Sequence, residues 1–194
     1  MYLFLIPLLA GFVFNWASAF TDLYSRRFGD RGGRLVSFVT RNILGIPVWV
    51  VGLILAFRVS APPLYVPGLL IRILGWVLVL GGPIPMIWAL VFLRLRAYRP
   101  TRQDTLVSNG IYRYIRHPIY SGVLMVFIGG VLLHPTRPAT VAGLLGIGYV
   151  YIQARLEEVD LLRRMPAYRE YMNSVPRFFP RLRKWGERGD ETGQ

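Results

Sequence analysis

Arg116, His117 and Pro118 form the centre of a polar segment in an otherwise apolar sequence, with Tyr112 before them and Tyr120 after them. Proline suits the first turn of a helix, so His117 is predicted at a helix start, among free backbone N–H groups. Such a position favours an anion or a carboxylate. The alternative is a structural role, in which the arginine anchors to lipid phosphate and the histidine caps the helix.

A second group of charged residues follows about forty positions later. Arg155 is joined there by the adjacent carboxylates Glu157 and Glu158. Paired carboxylates beside a membrane are costly if buried, so a cationic ligand group is one interpretation. The other interpretation is simple neutralisation of Arg155, Arg163 and Arg164 by neighbours on the same helix.

Other kinds of chemistry are disfavoured by the composition. The sequence has no cysteine, which excludes disulfides, thiol nucleophiles and cysteine metal sites. A metal site at His117 is not expected, because the second of the two histidines, His134, is predicted at the opposite membrane face. The sequence also lacks a hydrolase nucleophile elbow, a phosphate loop and a dinucleotide-binding glycine motif.

Apolar segments must position these residues. Hydrophobic residues make up 54% of the 194 positions, and the mean hydropathy is +0.42, which predicts an all-α integral membrane protein. A membrane-spanning helix needs about 20 apolar residues, so the last two segments are predicted to pair as a short helical hairpin. The five predicted transmembrane helices cover residues 1–20, 43–57, 69–93, 118–133 and 138–153. The first is interpreted as a retained helix, because it lacks a basic region and a cleavage site.

The 23 basic residues alternate between the segments that these helices separate. Arg72 lies inside a span, and the four connections and the C-terminal tail hold 5, 1, 6, 1 and 9 of the others. The positive-inside rule then places the N-terminus outside and the C-terminus in the cytoplasm. The net charge of +13 is explained by topology and by anionic membrane lipids, and no nucleic-acid partner is expected.

The whole chain, residues 1–194, is predicted to be one membrane domain, with an N-terminal three-span part at 1–93. A catalytic part at 94–185 ends in a cytoplasmic helical segment that folds back on the loop at 94–117, and residues 186–194 form a disordered tail. The sequence Gly-Gly-Pro-Ile-Pro at 81–85 predicts a kink or a break in the third span. That kink is either a simple bend or the wall of an internal cavity that opens toward lipid.

The order of these motifs strongly resembles the isoprenylcysteine carboxyl methyltransferase family, and the chain looks like a prokaryotic member. One departure is Asp104-Thr105, where relatives have a histidine before the Leu-Val pair. The resemblance rests on Leu106, Val107, Gly110, Tyr112, Arg116, His117, Pro118, Tyr120 and Gly122, followed by Arg155, Glu157, Glu158, Tyr168 and Tyr171.

The resemblance implies a membrane methyltransferase that uses S-adenosyl-L-methionine and releases S-adenosyl-L-homocysteine. Glu157 or Glu158 would hold the cofactor's amino group, and Arg155 would bind the substrate carboxylate, with Arg116 and Glu158 as further catalytic residues. The implied cofactor enclosure is Leu106, Val107, Gly110, Tyr112, His117, Pro118, Tyr120 and Ser121.

Three functions remain open at this point. The first is carboxyl methylation of a prenylated cysteine that enters from the bilayer. The second is N-methylation of phosphatidylethanolamine, in which a carboxylate or His117 would act as the base. The third is a non-catalytic role as a small transporter or assembly factor, which gives no reason for the two charged motifs.

Overall fold

The computed structural model describes residues 2–93 and 106–181. Within these parts of the chain the regular elements are helical, and two residues, Pro63 and Thr136, form an isolated β-bridge. The α-helices are α1 (Leu5–Ala17), α2 (Thr21–Phe38), α3 (Ile46–Arg58), α4 (Leu69–Gly81), α5 (Pro83–Leu93), α6 (Pro118–Leu133), α7 (Arg137–Arg164) and α8 (Tyr168–Ser174). A π-helix, Val39–Gly45, joins α2 to α3, and a short 3₁₀-helix spans Gly110–Arg113.

Three helical stretches in the described residues are long and apolar enough to cross a membrane. They are Thr21–Arg58, Leu69–Leu93 and Arg137–Arg164, with 38, 25 and 28 residues. Two further apolar helices, α1 and α6, are shorter, at 13 and 16 residues. The all-helical class is confirmed, whereas the predicted number of five crossings stays a prediction.

Aromatic residues from four helices form the core. Phe12 of α1 stacks on Tyr149 of α7, with ring centroids 4.2 Å apart and planes inclined by 7°. Trp49 of α3 lies 6.0 Å from Tyr149 and 6.0 Å from the ring of Phe127 in α6. Burial of such rings contributes a large apolar area and fixes how the helices cross. The core therefore joins the N-terminal half of the chain to the C-terminal half.

The predicted break in the third span lies at Gly82. The α4 helix ends at Gly81 and α5 begins at Pro83, although Gly82 keeps helical dihedral angles (φ −56°, ψ −42°). A Cβ atom on Gly82 would lie 2.7 Å from the backbone oxygen of Gly122 in α6. The two backbones are therefore in direct contact, and α5 and α6 pack closely at this level.

The C-terminal segment differs from the prediction in one respect. The α7 helix is continuous to Arg164, so Glu157 and Glu158 lie on the same helix as the predicted last span, 138–153. The second helix of the hairpin is therefore not short. After it, α8 folds back as predicted on residues 106–122, called here the motif segment. The Tyr171 hydroxyl donates there to the carbonyl of Tyr112. Residues 94–105, with Asp104, and the predicted tail at 186–194 lie outside the described residues.

Candidate active site

A cavity of about 480 Å³ lies where the motif segment meets α1, the π-helix, α3, α5 and α7. Ligand pockets commonly have volumes of about 300 to 1,000 Å³, so the space suits a small molecule. Its wall includes polar or aromatic residues from the N-terminal half as well as the C-terminal half. These are Asn15, Thr21, Arg41, Asn42 and Trp49 from the first half and Tyr112, Arg116, His117, Tyr120, Tyr149, Glu157, Asp160, Arg164, Tyr168 and Tyr171 from the second.

Glu157 is a carboxylate in the cavity wall. Its Oε1 atom accepts hydrogen bonds from Tyr120 Oη at 2.6 Å and Gln153 Nε2 at 3.0 Å. The same oxygen lies 2.8 Å from Nη2 of Arg41, whose π-helix is 116 positions earlier in the chain. The side chain is 20% exposed. Its charge is thus compensated from one side and remains accessible from the cavity.

Glu158, the adjacent residue, points elsewhere and is 2% exposed. Its Oε1 atom lies 3.1 Å from Arg116 Nη2 and 3.3 Å from His117 Nε2. Arg177 donates to both carboxylate oxygens, from Nε at 3.0 Å and from Nη2 at 2.7 Å. Glu158 is not among the residues that line the cavity. Its ion pairs hold the motif in place, and its contact with the cofactor stays a prediction.

Residues 175–181, called here the C-terminal strap, cover the start of α6. The backbone N–H of Arg116 donates to the carbonyl of Pro176 at 2.9 Å, and that of His117 to the carbonyl of Arg177 at 3.0 Å. Ser121 Oγ donates to the carbonyl of Phe178 at 2.6 Å. The chain's own carbonyls therefore occupy the backbone donors of Arg116 and His117, which precede the first turn of α6.

Gly110 has a positive φ, at 59°. A Cβ atom at this position would collide with the ring of Phe92 in α5, so a close approach accompanies the unusual backbone angle. Gly110 does not line the cavity. It sets the turn that leads into the 3₁₀-helix and thereby positions Tyr112.

The predicted site residues divide into two groups. Those in the cavity wall are Leu106, Val107, Tyr112, Arg116, His117, Pro118, Tyr120 and Glu157. The others are Gly110, Ser121, Glu158 and Arg155, which are not in the wall. Arg155 is exposed on α7, two positions before Glu157 and so on a different helix face. Its role in binding the substrate stays a prediction.

Sequence reasoning missed the cavity residues of the N-terminal half, of which Arg41 is the most important. Its charge was interpreted as one of five topology signals between the first two spans. The π-helix that contains it is a rare element that often marks functional sites, but no sequence pattern used here predicts it. Asn15, a polar residue within the first apolar segment, was the available signal.

The tyrosines near the 3₁₀-helix and α8 are neutral hydroxyl groups. Burial raises the pKa of Tyr112, Tyr168 and Tyr171, so none of them ionises near pH 7. The hydrogen bond to Glu158 raises the pKa of Arg177, which keeps the strap cationic. The aromatic part of the wall thus offers ring faces and hydroxyl groups, and no tyrosinate.

Two observations indicate that the wall fits a ligand with polar acceptors and a cation. Trp49 Nε1 and Arg116 Nε are buried donors without a hydrogen-bond partner in the described structure, and both residues line the cavity. Aromatic rings and the carboxylate of Glu157 surround the same space, and both attract cations. S-adenosylmethionine has a sulfonium, an ammonium, a carboxylate and an adenine, and each finds a matching group here.

The chain is similar in sequence to known proteins. The model of the phospholipid methyltransferase family matches residues 96–167. The cobalt-zinc-cadmium resistance protein CzcN of Cupriavidus metallidurans is 28% identical over 165 residues, which is 81% of this chain and 72% of that protein. The nickel-cobalt-cadmium resistance protein NccN of Alcaligenes xylosoxydans xylosoxydans is 28% identical over 156 residues, 76% of this chain and 69% of that protein. No solved structure gives a significant match.

The names of these two relatives describe resistance to metal ions. In residues 2–93 and 106–181, no group of three or more His, Cys, Asp or Glu side chains is placed to hold a metal ion. The family match includes the motif at Arg116 and His117 as well as Glu157 and Glu158. The match and the apolar helices support a relationship between this chain and the broad family of membrane methyltransferases, to which phospholipid methyltransferases belong.

Proposed function

We propose that the protein is an S-adenosylmethionine-dependent methyltransferase that methylates the carboxylate of a lipidated acceptor, of the prenylated cysteine class. The observation that carries the proposal is the cavity at the motif segment, which combines two carboxylates, three arginines and an aromatic wall. The carboxylates are Glu157 and Asp160, and the arginines are Arg41, Arg116 and Arg164. Guanidinium groups bind carboxylates, and carboxylates and aromatic rings bind cations, so the wall suits an anionic acceptor beside a cationic cofactor.

The cofactor, when bound, supplies an electrophilic methyl group on a sulfonium. Glu157 is the residue proposed to hold its ammonium, since this carboxylate lies in the wall and Glu158 does not. Tyr112, Tyr168 and Tyr171 offer ring faces for the adenosyl part and the sulfonium. Arg116 Nε is a donor for the cofactor's carboxylate.

The protein's contribution to the reaction is alignment and exclusion of water. A carboxylate is ionised at pH 7, so the acceptor needs no general base. Transfer of a methyl cation to a carboxylate removes one positive and one negative charge, which a water-poor cavity favours. The wall provides such a setting with Ile46, Met86 and Leu90, at the side where a lipid chain would enter from the bilayer.

N-methylation of phosphatidylethanolamine is the second candidate, and the description of the matching family favours it. An amine must be neutral before it can accept a methyl group, so this reaction requires a base. Glu157 would then take the proton, and the rate would rise with pH as the amine loses its proton. Carboxylate methylation predicts a rate that does not depend on an amine's protonation.

The test uses the full chain in lipid nanodiscs with radiolabelled S-adenosylmethionine. Labelled base-labile ester on an S-prenyl N-acetylcysteine is the expected result, and acid- and base-stable label on phosphatidylethanolamine would support the second candidate instead. Absence of cofactor binding by folded protein would contradict both enzyme functions and leave the non-catalytic role. Substitution of Glu157 by Gln serves as the negative control.

A further inference from the structure

We infer that Arg41 binds the carboxylate of the methyl acceptor and thereby selects anionic acceptors. The inference rests on the proposed function and assigns the acceptor subsite to a residue outside the segment that matches the family, residues 96–167. Arg41 lies on the π-helix Val39–Gly45 and lines the cavity beside Asn42.

The side chains of the three cavity arginines differ in exposure. Arg164 is 5% exposed and lies 2.7 Å from Asp160 on the same helix. Arg116 is 8% exposed, 3.1 Å from Glu158, and donates to the carbonyl of Met172. Arg41 is the most exposed of the three, at 18%, and its partner Glu157 is 20% exposed on the same cavity. Arg41 is therefore the best placed of the three to contact a ligand.

The ion pair between Arg41 and Glu157 can be exchanged without leaving a buried charge uncompensated. Tyr120 and Gln153 donate to the same Glu157 oxygen that Arg41 contacts, at 2.6 Å and 3.0 Å, and they remain when Arg41 turns to a ligand. The cofactor's ammonium would replace Arg41 as the cation beside Glu157. Arg41 would in turn receive the acceptor's carboxylate, for which its planar guanidinium provides two parallel N–H donors.

Ser18 and the π-helix direct the guanidinium toward the cavity. Arg41 Nε donates to Ser18 Oγ at 3.3 Å, and Ser18 itself donates to the carbonyl of Asn15 at 2.6 Å. Ser18 is fully buried, so the end of α1 forms a fixed support for the stem of Arg41. The π-helix adds a residue to the turn that an α-helix would have, which sets the direction of the side chain.

The charge balance explains both binding and release. The acceptor's carboxylate oxygen forms a bond to the methyl carbon while the carbon–sulfur bond breaks. The electron pair of the carbon–sulfur bond stays on sulfur, which becomes a neutral thioether. No proton moves. The acceptor becomes a neutral ester, which loses its ion pair with Arg41, and the cofactor loses its sulfonium charge. Arg41 then returns to Glu157, and the ester leaves toward the bilayer.

The test measures turnover and competition with the full chain in nanodiscs. Competitors are a non-methylatable S-prenylcysteine sulfonate, which keeps the negative charge, and the neutral S-prenylcysteine carboxamide. We expect Arg41→Gln to raise KM for the S-prenylcysteine about 10- to 100-fold, as loss of a charge-assisted hydrogen bond does. The preference for the sulfonate over the carboxamide should fall by a similar factor. Cofactor affinity, measured by equilibrium dialysis, should not fall, because Arg41 competes with the cofactor's ammonium for Glu157, whereas general damage would weaken both affinities.

Arg58→Gln is the matched control, because Arg58 ends α3 at the far end of the same continuous helix and does not line the cavity. It should change neither constant. If Arg41→Gln fails to fold, Arg41→Lys keeps the charge without the guanidinium, and it should still weaken the sulfonate preference. A wild-type enzyme that methylates the S-prenylcysteine and an Arg41 variant with an unchanged preference would overturn the inference and leave the proposed function standing. A wild-type chain that does not bind the cofactor would overturn both.

Discussion

Two adjacent carboxylates have different environments because successive residues of an α-helix point about 100° apart. Glu157 lies in the cavity wall with neutral donors and Arg41 around it. Glu158 lies on the side of the strap and is surrounded by His117, Arg116 and Arg177. The sequence predicted that the pair matters, but it left open which member faces a ligand.

Substitution of each carboxylate by glutamine should separate these roles. Glu157→Gln is expected to weaken cofactor affinity about 10- to 100-fold, since a charged hydrogen-bond partner is lost. Glu158→Gln should instead lower the unfolding free energy by on the order of 3 kcal/mol, because Arg116 and Arg177 lose a charged partner. Equilibrium dialysis well below the melting temperature and thermal unfolding in detergent measure the two effects.

Glu170→Gln is the control for both substitutions, because Glu170 is exposed on α8. It should change neither the affinity nor the melting temperature. A Glu158→Gln variant that remains as stable as the wild type but loses the cofactor would reverse the assignment of the two carboxylates.

Contacts between helices depend on glycines that the sequence indicated only in general terms. The predicted break in the third span is present, yet what the sequence could not predict is its partner, Gly122 of α6. A Cβ atom on Gly122 would overlap the backbone oxygen of Gly82 and the side chain of Met86, and Met86 lines the cavity. The close contact between Gly122 and Gly82 therefore also affects the shape of the cavity, through Met86.

Gly122→Ala should destabilise the protein by about 1 to 3 kcal/mol, since an extra methyl group must force α5 and α6 apart. Gly148 of α7 provides the matched control, because a Cβ atom there has no heavy atom within 4 Å. Gly148→Ala should not lower the melting temperature. Equal losses in the two variants would show that the substitution itself, and not the contact with Gly82, determines the effect.

The motif residues were predictable because they are close in sequence, whereas the partners that complete the cavity are not. Arg41 and Glu157 are separated by 116 positions, and no periodicity connects them. Helical phase explains why Arg155 lies outside the cavity wall, because two residues along α7 turn a side chain away from it. The strap hydrogen bonds to Arg116 and His117 were likewise not predictable, as they depend on how residues 175–181 fold back.

At the scale of the whole molecule, the two ends of the helical bundle differ in composition. At one end, the backbone N–H of Leu64 donates to the carbonyl of Pro135 at 2.7 Å, so the loop after α3 and the turn after α6 meet. These two connections contain one arginine each, Arg58 and Arg137. At the other end lie the cavity's arginines and the strap. The predicted orientation, in which the arginine-poor connections face outward, stays a prediction.

The orientation can be tested directly because the chain has no cysteine. Val66 is 86% exposed in the loop after α3, and Arg169 is exposed on α8 near the cavity. Single cysteines introduced at these positions, Val66→Cys and Arg169→Cys, should react differently with a membrane-impermeant maleimide in intact cells. Val66→Cys should be labelled at once, and Arg169→Cys only after the membrane is permeabilised, because three of the five predicted crossings lie between the two positions and the N-terminus is predicted outside. Labelling of Arg169→Cys in intact cells would place the cavity on the outer side, where a cytoplasmic cofactor could not enter it, and would contradict the proposed methyltransferase topology.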